Sequence, residues 1–257
     1  MGLPEILIEF KAKAETAVRR SQNGIVAVIL SDDTKTGDSN LSYKYNYEAD
    51  IDKSDWSAVN LDYLNKIFLG TPKCVLVERI AASDDYEAAL ARLKYKHWNW
   101  LTVPGIEKRI GDAATIQQWI IAQRAAKKTF KAVLPATENT GNFNDEGIVE
   151  FATDNIKVGA KTYSVCEYCA RIAGLLAGLS MTESATYQVL PEVDGIAESE
   201  TPDDDIDSGK LILINDGEKV KIGRAVNSFV TTVDGKGDSF KKIKIVEAMD
   251  MINNDIR

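Results

Sequence analysis

Histidine is almost missing from this sequence: 257 residues contain one, His97. It falls four residues after Leu93 on an apolar stripe, a spacing that points to packing or a helix end rather than to catalysis. That reading leaves no Ser-His-Asp triad, and a lone imidazole builds no multi-histidine zinc site. Cysteine is scarce too. Three residues are too few, and too odd a number, for a disulfide scaffold, so a reducing compartment is expected. No nucleophile elbow, phosphate-cradling Gly-Lys-Ser/Thr loop or Gly-x-Gly-x-x-Gly fingerprint occurs. Basic charge is in deficit, with 31 Lys and Arg against 39 Asp and Glu for a net −8, which argues against broad contact with a nucleic-acid backbone. No uncharged apolar run approaches the roughly 20 residues that span a bilayer. The N-terminus lacks the basic-then-apolar pattern of a secretory signal, and Ile6 stands where a myristoylation motif needs Ser or Thr. A non-secreted protein without membrane insertion is the expectation.

What is present is ordinary globular composition, 44% hydrophobic and 27% charged, which excludes a collagenous or wholly disordered chain. Short β-branched runs take turns with amphipathic stretches. Gly24 to Leu30, Cys74 to Ile80, Leu101 to Val103 and Phe130 to Leu134 read as strands. Between them, Ser54 is expected to cap a helix through Trp56, Leu61, Leu64 and Phe68, and Ser83 one carrying Tyr86, Ala89, Leu90, Leu93 and His97. Asp112 to Lys128 reads as a third, with Ile116, Trp119 and Ile120 on one face. This alternation describes an α/β core sheet. Val165 to Leu179 is apolar on two sides, one small (Cys166, Cys169, Ala170, Ala173, Ala177) and one large. It should therefore be buried between layers, with the small seam admitting a neighbouring backbone. Pro191 to Ser208 is an acidic stretch expected to be a solvated loop, and the domain boundary. Beyond it, Leu211 to Ile214, then Asn215-Asp216-Gly217-Glu218, then Val220 and Ile222 form a β-hairpin signal within a smaller C-terminal α+β domain.

Several patterns that mimic chemical sites carry a plainer reading. Cys166-Glu-Tyr-Cys169 has redox spacing near a helix start, but both cysteines continue the small seam and read as buried structure. Asp203, Asp205 and Asp207 open like a calcium loop. Ser208 then stands where the turn needs Gly, and Ile214 where chelation needs Glu, so the match fails. No cofactor or metal is expected. Lysines 236, 241, 242 and 244 form a basic cluster suited to a solvated face or an acidic protein partner. Glu5 to Phe10 is strand-like, with Ile6, Ile8 and Phe10 on one face, able to complete its own sheet or join the edge of a neighbour's. Ser239 is expected to cap a last helix carrying Ile245, Val246, Met249, Ile252 and Ile256. That pattern is still running at Arg257, which suggests a shortened chain.

The stretch Gly209 to Thr232, with Asn215-Asp216-Gly217 and Gly223-Arg224-Ala-Val-Asn227-Ser, resembles the C-terminal domain of phage tail sheath proteins. Lys241-Lys-Ile-Lys-Ile-Val-Glu-Ala-Met-Asp250 follows as in that family, and Ala170 to Ser180 with Ser184-Ala-Thr-Tyr187 resembles the segment closing its core domain. The likeness runs from about Gly24 to the end, closest to the compact sheaths of Gram-positive phages, defective prophages and R-type bacteriocins. The resemblance implies a structural polymer rather than an enzyme: stacked hexameric rings around an inner tail tube, contracting to drive the tube through a cell envelope. It implies a division into an N-terminal arm (1–20), a core (21–190) and a C-terminal domain (191–257), the last apparently without the family's terminal arm. Partners would be neighbouring subunits, linked by the Ile6–Ile8–Phe10 strand, the tube protein near Lys241, Lys242 and Lys244, and baseplate and terminator proteins. The setting would be a phage-like particle tail assembled in the host cytoplasm. The rival readings are a non-polymerising baseplate or cap protein on the same fold, and a soluble α/β enzyme acting at the carboxyl edge of the sheet.

Overall fold

The computed structural model describes residues 24–255 apart from 36, 38–39, 83, 107–110, 138–142 and 234. The strand-like segment of Ile6, Ile8 and Phe10, the Ser83 cap and Ile256 lie outside the described residues.

A seven-stranded mixed sheet organises the chain. Strands β1 (Ile25–Ser31), β2 (Ser42–Tyr45), β3 (Cys74–Ile80), β4 (Trp100–Thr102), β5 (Lys131–Pro135), β6 (Ile148–Phe151) and β9 (Lys210–Leu211) lie in the order β2-β3-β1-β4-β5-β6-β9. All neighbours pair in parallel except β2, which runs antiparallel to β3 at one edge. Parallel strands joined by helices are covered on both faces, and the sequence answers with continuous apolar runs: Val26 to Leu30 and Val75 to Val77 are all buried. The first helices in the chain are α1 (Ala58–Phe68), α2 (Glu87–Leu93) and α3 (Asp112–Ala125). Helix α4 (Val165–Gly178) packs on α1 and crosses β1, β4 and β5.

Helix α4 is buried all round, as its two apolar sides require. Its start is a capping box: the Ser164 hydroxyl accepts from the Glu167 N–H, and the Glu167 carboxylate accepts from the Ser164 N–H at 2.8 Å. The close backbone approach is made by Gly174 and Gly178 against the end of α1 and Gly70, rather than by the cysteine-alanine seam. Cys166 and Cys169 are buried, reduced thiols, and the Cys169 thiol donates to the Val165 carbonyl.

Local differences from the sequence reading have physical causes. Ser57, not Ser54, caps α1, because Asp52 draws the Ser54 N–H into a 3-10 turn (Lys53–Asp55) while Asp32 accepts from the Ser57 N–H at 2.8 Å. Helix α2 stops at Leu93, so His97 lies beyond it and is exposed; the buried place on that side goes to Trp98, stacked on Phe130 with centroids 3.9 Å apart. The acidic stretch is no bare loop. Its first acid, Glu192, sits against Arg171 at 2.5 Å and Tyr168 at 2.9 Å. Burial pulls the Glu192 carboxyl upward, but those partners outweigh it and hold it below the usual range. Residues Pro202–Asp207 form a short helix, α5, and the next strand, β9, joins the core sheet beside β6.

A two-stranded sheet, β7 (Ile156–Val158) with β8 (Lys161–Tyr163), precedes α4. The hairpin pairs β10 (Leu213–Asn215) with β11 (Val220–Ile222) across a four-residue loop. Only Gly217 in that loop has positive φ (94°). Asp216 organises the rest by accepting from the Glu218 and Lys219 N–H groups and from Lys221. Leu211, read from sequence as part of the hairpin, belongs to the main sheet instead, so the small C-terminal α+β part and the core share a sheet.

One buried carboxylate gives the fold a pH dependence. Glu150 on β6 is almost fully buried, and burial pushes its carboxyl up to about 7 from 4.5, against a backbone N–H bond from Phe143 and the Lys210 charge. The folded chain therefore holds a proton that the unfolded chain has released. This stabilisation is full below pH 4.5 and is lost as pH rises through about 7. Glu150→Gln is expected to raise stability at pH 8 by about 1–3 kcal/mol and to leave it nearly unchanged at pH 4, measured by urea melts at both pH values.

Candidate functional site

The last helix, α6 (Ile243–Asp255), follows a 3-10 turn at Asp238–Lys241 whose N-cap is Gly237, so Ser239 lies inside the turn instead of capping α6. Ile243, Val246 and Asp250 face the body and are buried. The rest of the expected apolar stripe does not share that face. Ile245, Met249 and Ile252 are 38%, 46% and 54% exposed. At spacings of four and three they form one ridge on the side away from the body.

Polar chemistry anchors the inner face. Asp250 accepts from Arg124 at 3.1 and 3.2 Å and from the buried Lys131 at 3.1 Å. The Lys131 ammonium lies 5.0 Å from the centre of the Trp100 ring, and the Trp100 indole N–H donates to Glu247 at 3.2 Å. Thr129 and Asn254 exchange hydrogen bonds at the far end. These partners sit at the amino ends of β4 and β5 and on α3, so α6 is fixed to the core sheet itself.

The residues that carry the resemblance come together beside it. The Asn227 side chain donates to the Phe240 carbonyl at 2.7 Å and accepts from the Phe229 N–H, tying the approach to α6 to the end of the hairpin. Thr186 accepts from the Ala225 N–H, and the Tyr187 N–H donates to Ile222, which lays the 184–190 segment along β11. Gly223 donates to Ile212 across the hairpin base, and the Asn215 side chain accepts from the Gly217 N–H. Arg224 is exposed and makes no ion pair among the described residues. Of the lysines, Lys241 pairs with Asp238 at 3.0 Å, and Lys244 donates to the Ser180 carbonyl at 2.6 Å and to Glu247 at 3.4 Å. Lys236 pairs with Glu146 at 2.6 Å. Lys242 is exposed.

The mimics of chemical sites remain apart. Asp203, Asp205 and Asp207 lie on α5, where Asp205 pairs with Lys210 at 2.9 Å and Ser199 at 2.6 Å. Among the described residues no group of three His, Cys, Asp or Glu side chains is placed to hold a metal ion. No helix among them is long and apolar enough to cross a membrane. Sequence reasoning missed the Asp250–Arg124–Lys131 cluster, whose members are 119 and 126 residues apart in the chain. The one available signal was a charge at position 250 on the face otherwise held by Ile243 and Val246.

Residues 81–228 match the phage tail sheath protein central domain. The chain is also 32% identical, over 266 aligned positions, to the tail sheath protein of Clostridium phage phiCD119, covering all of this chain and 71% of that one. The chain belongs to the phage tail sheath family. Among solved structures, the sheath tail protein of Listeria innocua superposes with a TM-score of 0.80 at 15% identity, over 95% of this chain and 78% of that one. The helical sheath of the anti-feeding prophage in its contracted state gives 0.68 at 14%, covering 92% and 69%. An extracellular contractile injection system sheath, also contracted, gives 0.62 at 11%, covering 91% and 67%. At these identities the structures establish a shared sheath fold. The family consists of structural proteins of phage-like contractile particles, not enzymes.

Proposed function

We propose that this chain is the repeating subunit of a contractile sheath. It stacks as hexameric rings around an inner tail tube, and the rings compress to drive the tube through a target envelope. Family membership supports the sheath role. The observation that carries the tube contact is the uncovered ridge of Ile245, Met249 and Ile252, on a helix locked to the core by buried charges. An apolar ridge on a rigid support suits a protein partner, with Lys241, Lys242 and Lys244 at its start meeting acidic groups of the tube. The segment with Ile6, Ile8 and Phe10 lends a strand to an adjacent subunit, a joint made of main-chain hydrogen bonds that tolerates rotation of the bodies. In this reading 1–20 is the arm, 21–190 the body and 191–257 the C-terminal domain, with β9 stitching the last two so that they move as one. Contraction then exchanges one set of subunit contacts for another, and contacts repeated head to tail propagate along the tail. The particle assembles in the host cytoplasm between baseplate and terminator.

The test is negative-stain electron microscopy of purified chain mixed with its tail tube, beside Ile245→Asp/Met249→Asp. Wild-type chain is expected to coat the tube with striated rings, and the variant to stay folded and leave the tube bare. Coating by both would move the tube contact elsewhere. Wild-type chain that forms no rings or tubes, alone or on the tube, would overturn the polymer reading. Binding confined to one end of the tube would favour the cap or baseplate role.

A further inference from the structure

A cavity of about 640 Å³ opens at the carboxyl ends of β5 and β6, beside β9 and α5. In open α/β sheets this edge is where ligands are held. Its lining carries four carboxylates, Glu150, Asp154, Glu198 and Asp205, against one cation, Lys210. Asp154 and Glu198 are exposed, whereas Glu150 is 3% exposed and stands at the inner end. The donors of this wall are spent on the protein. The Lys210 ammonium pairs with Asp205 at 2.9 Å, the Ser199 hydroxyl donates to the same carboxylate at 2.6 Å, and the Ser208 hydroxyl donates to the Asp205 carbonyl at 2.8 Å. The N–H groups of Ala136 and Ala152 go to the carbonyls of Phe151 and Leu211. Glu150 is left short. The Phe143 N–H reaches its carboxyl, but Oε2 is buried without a hydrogen-bond partner among the described residues. Ionised, that oxygen lacks a donor; protonated, it lacks an acceptor. A buried polar atom in that position calls for a partner from outside.

We infer that this cavity binds a small alkyl diammonium ion, one ammonium on Glu150 and the other at the mouth with Asp154 and Glu198. Charge fixes the sign of the ligand, because the lining is rich in acceptors and its one lysine is already committed to Asp205. Ala136, Ala152 and Ile212 offer the methylene chain an apolar wall between the two ends. A metal ion suits the site less, since among the described residues no three acidic side chains converge to hold one. The volume lies within the range of small-ligand sites. Binding is coupled to a proton. Burial pushes the Glu150 carboxyl up to about 7, against the Phe143 N–H and the Lys210 charge. Burial also raises the Asp205 carboxyl, but Ser199 and Lys210 outweigh it and hold it below the usual range, so Asp205 stays ionised. An ammonium beside Glu150 favours its ionised form, so binding should release a proton near neutral pH and strengthen as pH rises. Nothing in this inference depends on polymerisation.

The test is isothermal titration calorimetry of the full chain with cadaverine, whose two primary ammonium groups stay charged between pH 6 and pH 8. One cadaverine per chain is expected, bound about tenfold more tightly at pH 8 than at pH 6, the change in ionised fraction of a carboxyl near 7. Glu150→Gln should weaken binding at pH 8 by about tenfold or more and make the two pH values alike. Lys210→Gln should tighten it, by freeing the Asp205 carboxylate. Glu218→Gln, which removes the same charge from the exposed hairpin loop, should change nothing. Absence of binding to the wild-type chain would overturn the inference, as would binding that survives Glu150→Gln with its pH dependence intact. Magnesium ion or butylamine binding as tightly as cadaverine would overturn it too, by reducing the cavity to a general negative field. Sedimentation velocity of the same samples covers the remaining source of an ammonium. Self-association that depends on Glu150 and is indifferent to cadaverine would give the site to a lysine of a second copy and overturn the small-ligand assignment.

Discussion

Gly178→Ala is expected to destabilise the chain by about 3 kcal/mol or more, enough to leave a large unfolded fraction at 37 °C if the wild type is of ordinary stability. A methyl group at 178 would stand 1.5 Å from the Gly70 carbonyl oxygen and 2.7 Å from its carbon. Gly174→Ala meets the same obstacle, 2.2 Å from the Ile67 carbonyl oxygen. Intrinsic propensity works the other way, because alanine inside a helix gains up to about 1 kcal/mol over glycine. Backbone decides the outcome: the atoms struck belong to α1 and its C-terminal turn, which cannot rotate away as a side chain could. Relief requires α4 and α1 to separate, and α4 lies across three strands of the core sheet, so the cost spreads through close-packed apolar contacts. Gly195→Ala is the control, since its new methyl would have only the Lys157 side chain nearby, at 3.6 Å. Urea denaturation of the three variants checks this. A Gly178→Ala chain within 1 kcal/mol of wild type would mean that the two helices are free to slide apart.

The same two glycines show where sequence reading succeeds and where it stops. An apolar pattern on both sides of Val165 to Leu179 made burial of α4 legible, as did the small residues that admit a neighbour. Which small residues meet that neighbour was not legible. The cysteine-alanine line and the glycine line run side by side on one helix, and only the position of α1 chooses between them. The alternation of strands and helices was legible for a related reason: covered parallel strands must be apolar throughout, so β1 and β3 announce themselves. Short strands do not. Strand β9 pairs through two residues, and it joins β6 because Glu150 and Phe151 offer a parallel edge far away in sequence. Ser54 and Ser57 are equally good caps on paper, and Asp32 and Asp52 decide between them from outside the helix. Helix α6 is the instructive case. Its apolar stripe was visible, but periodicity does not say whether a stripe faces the core or a partner. Here the stripe divides, with Ile243 and Val246 turned inward and Ile245, Met249 and Ile252 outward.

That division is what makes Asp250 decisive. Asp250→Ala is expected to cost about 3–5 kcal/mol, because it leaves Lys131 and Arg124 without their shared carboxylate. Lys131 suffers most: it is buried beside Trp100, and Asp250 is its one ion-pair partner among the described residues. Arg124 keeps a longer pairing with Glu146 at 3.8 Å and a bond to the Phe130 carbonyl at 3.3 Å. A buried ion cluster is not in itself a source of stability, since desolvation cancels much of the attraction. If that is the balance here, Asp250→Leu combined with Lys131→Met should recover most of the loss, through apolar contact with Trp100. The single and paired substitutions thus separate two roles of the cluster. Guanidinium melts report the stability difference, and hydrogen exchange across 243–255 reports whether α6 has loosened from the sheet. In the single variant α6 amides are expected to exchange much faster than those of β1 and β3, with the sheet still folded. Uniform loss of protection across the whole chain would instead make α6 part of the global folding unit. In the paired variant protection should return. On the proposed reading, in which the outward ridge of α6 meets the tube, a chain with loose α6 should lose ring formation on the tube before it loses its fold.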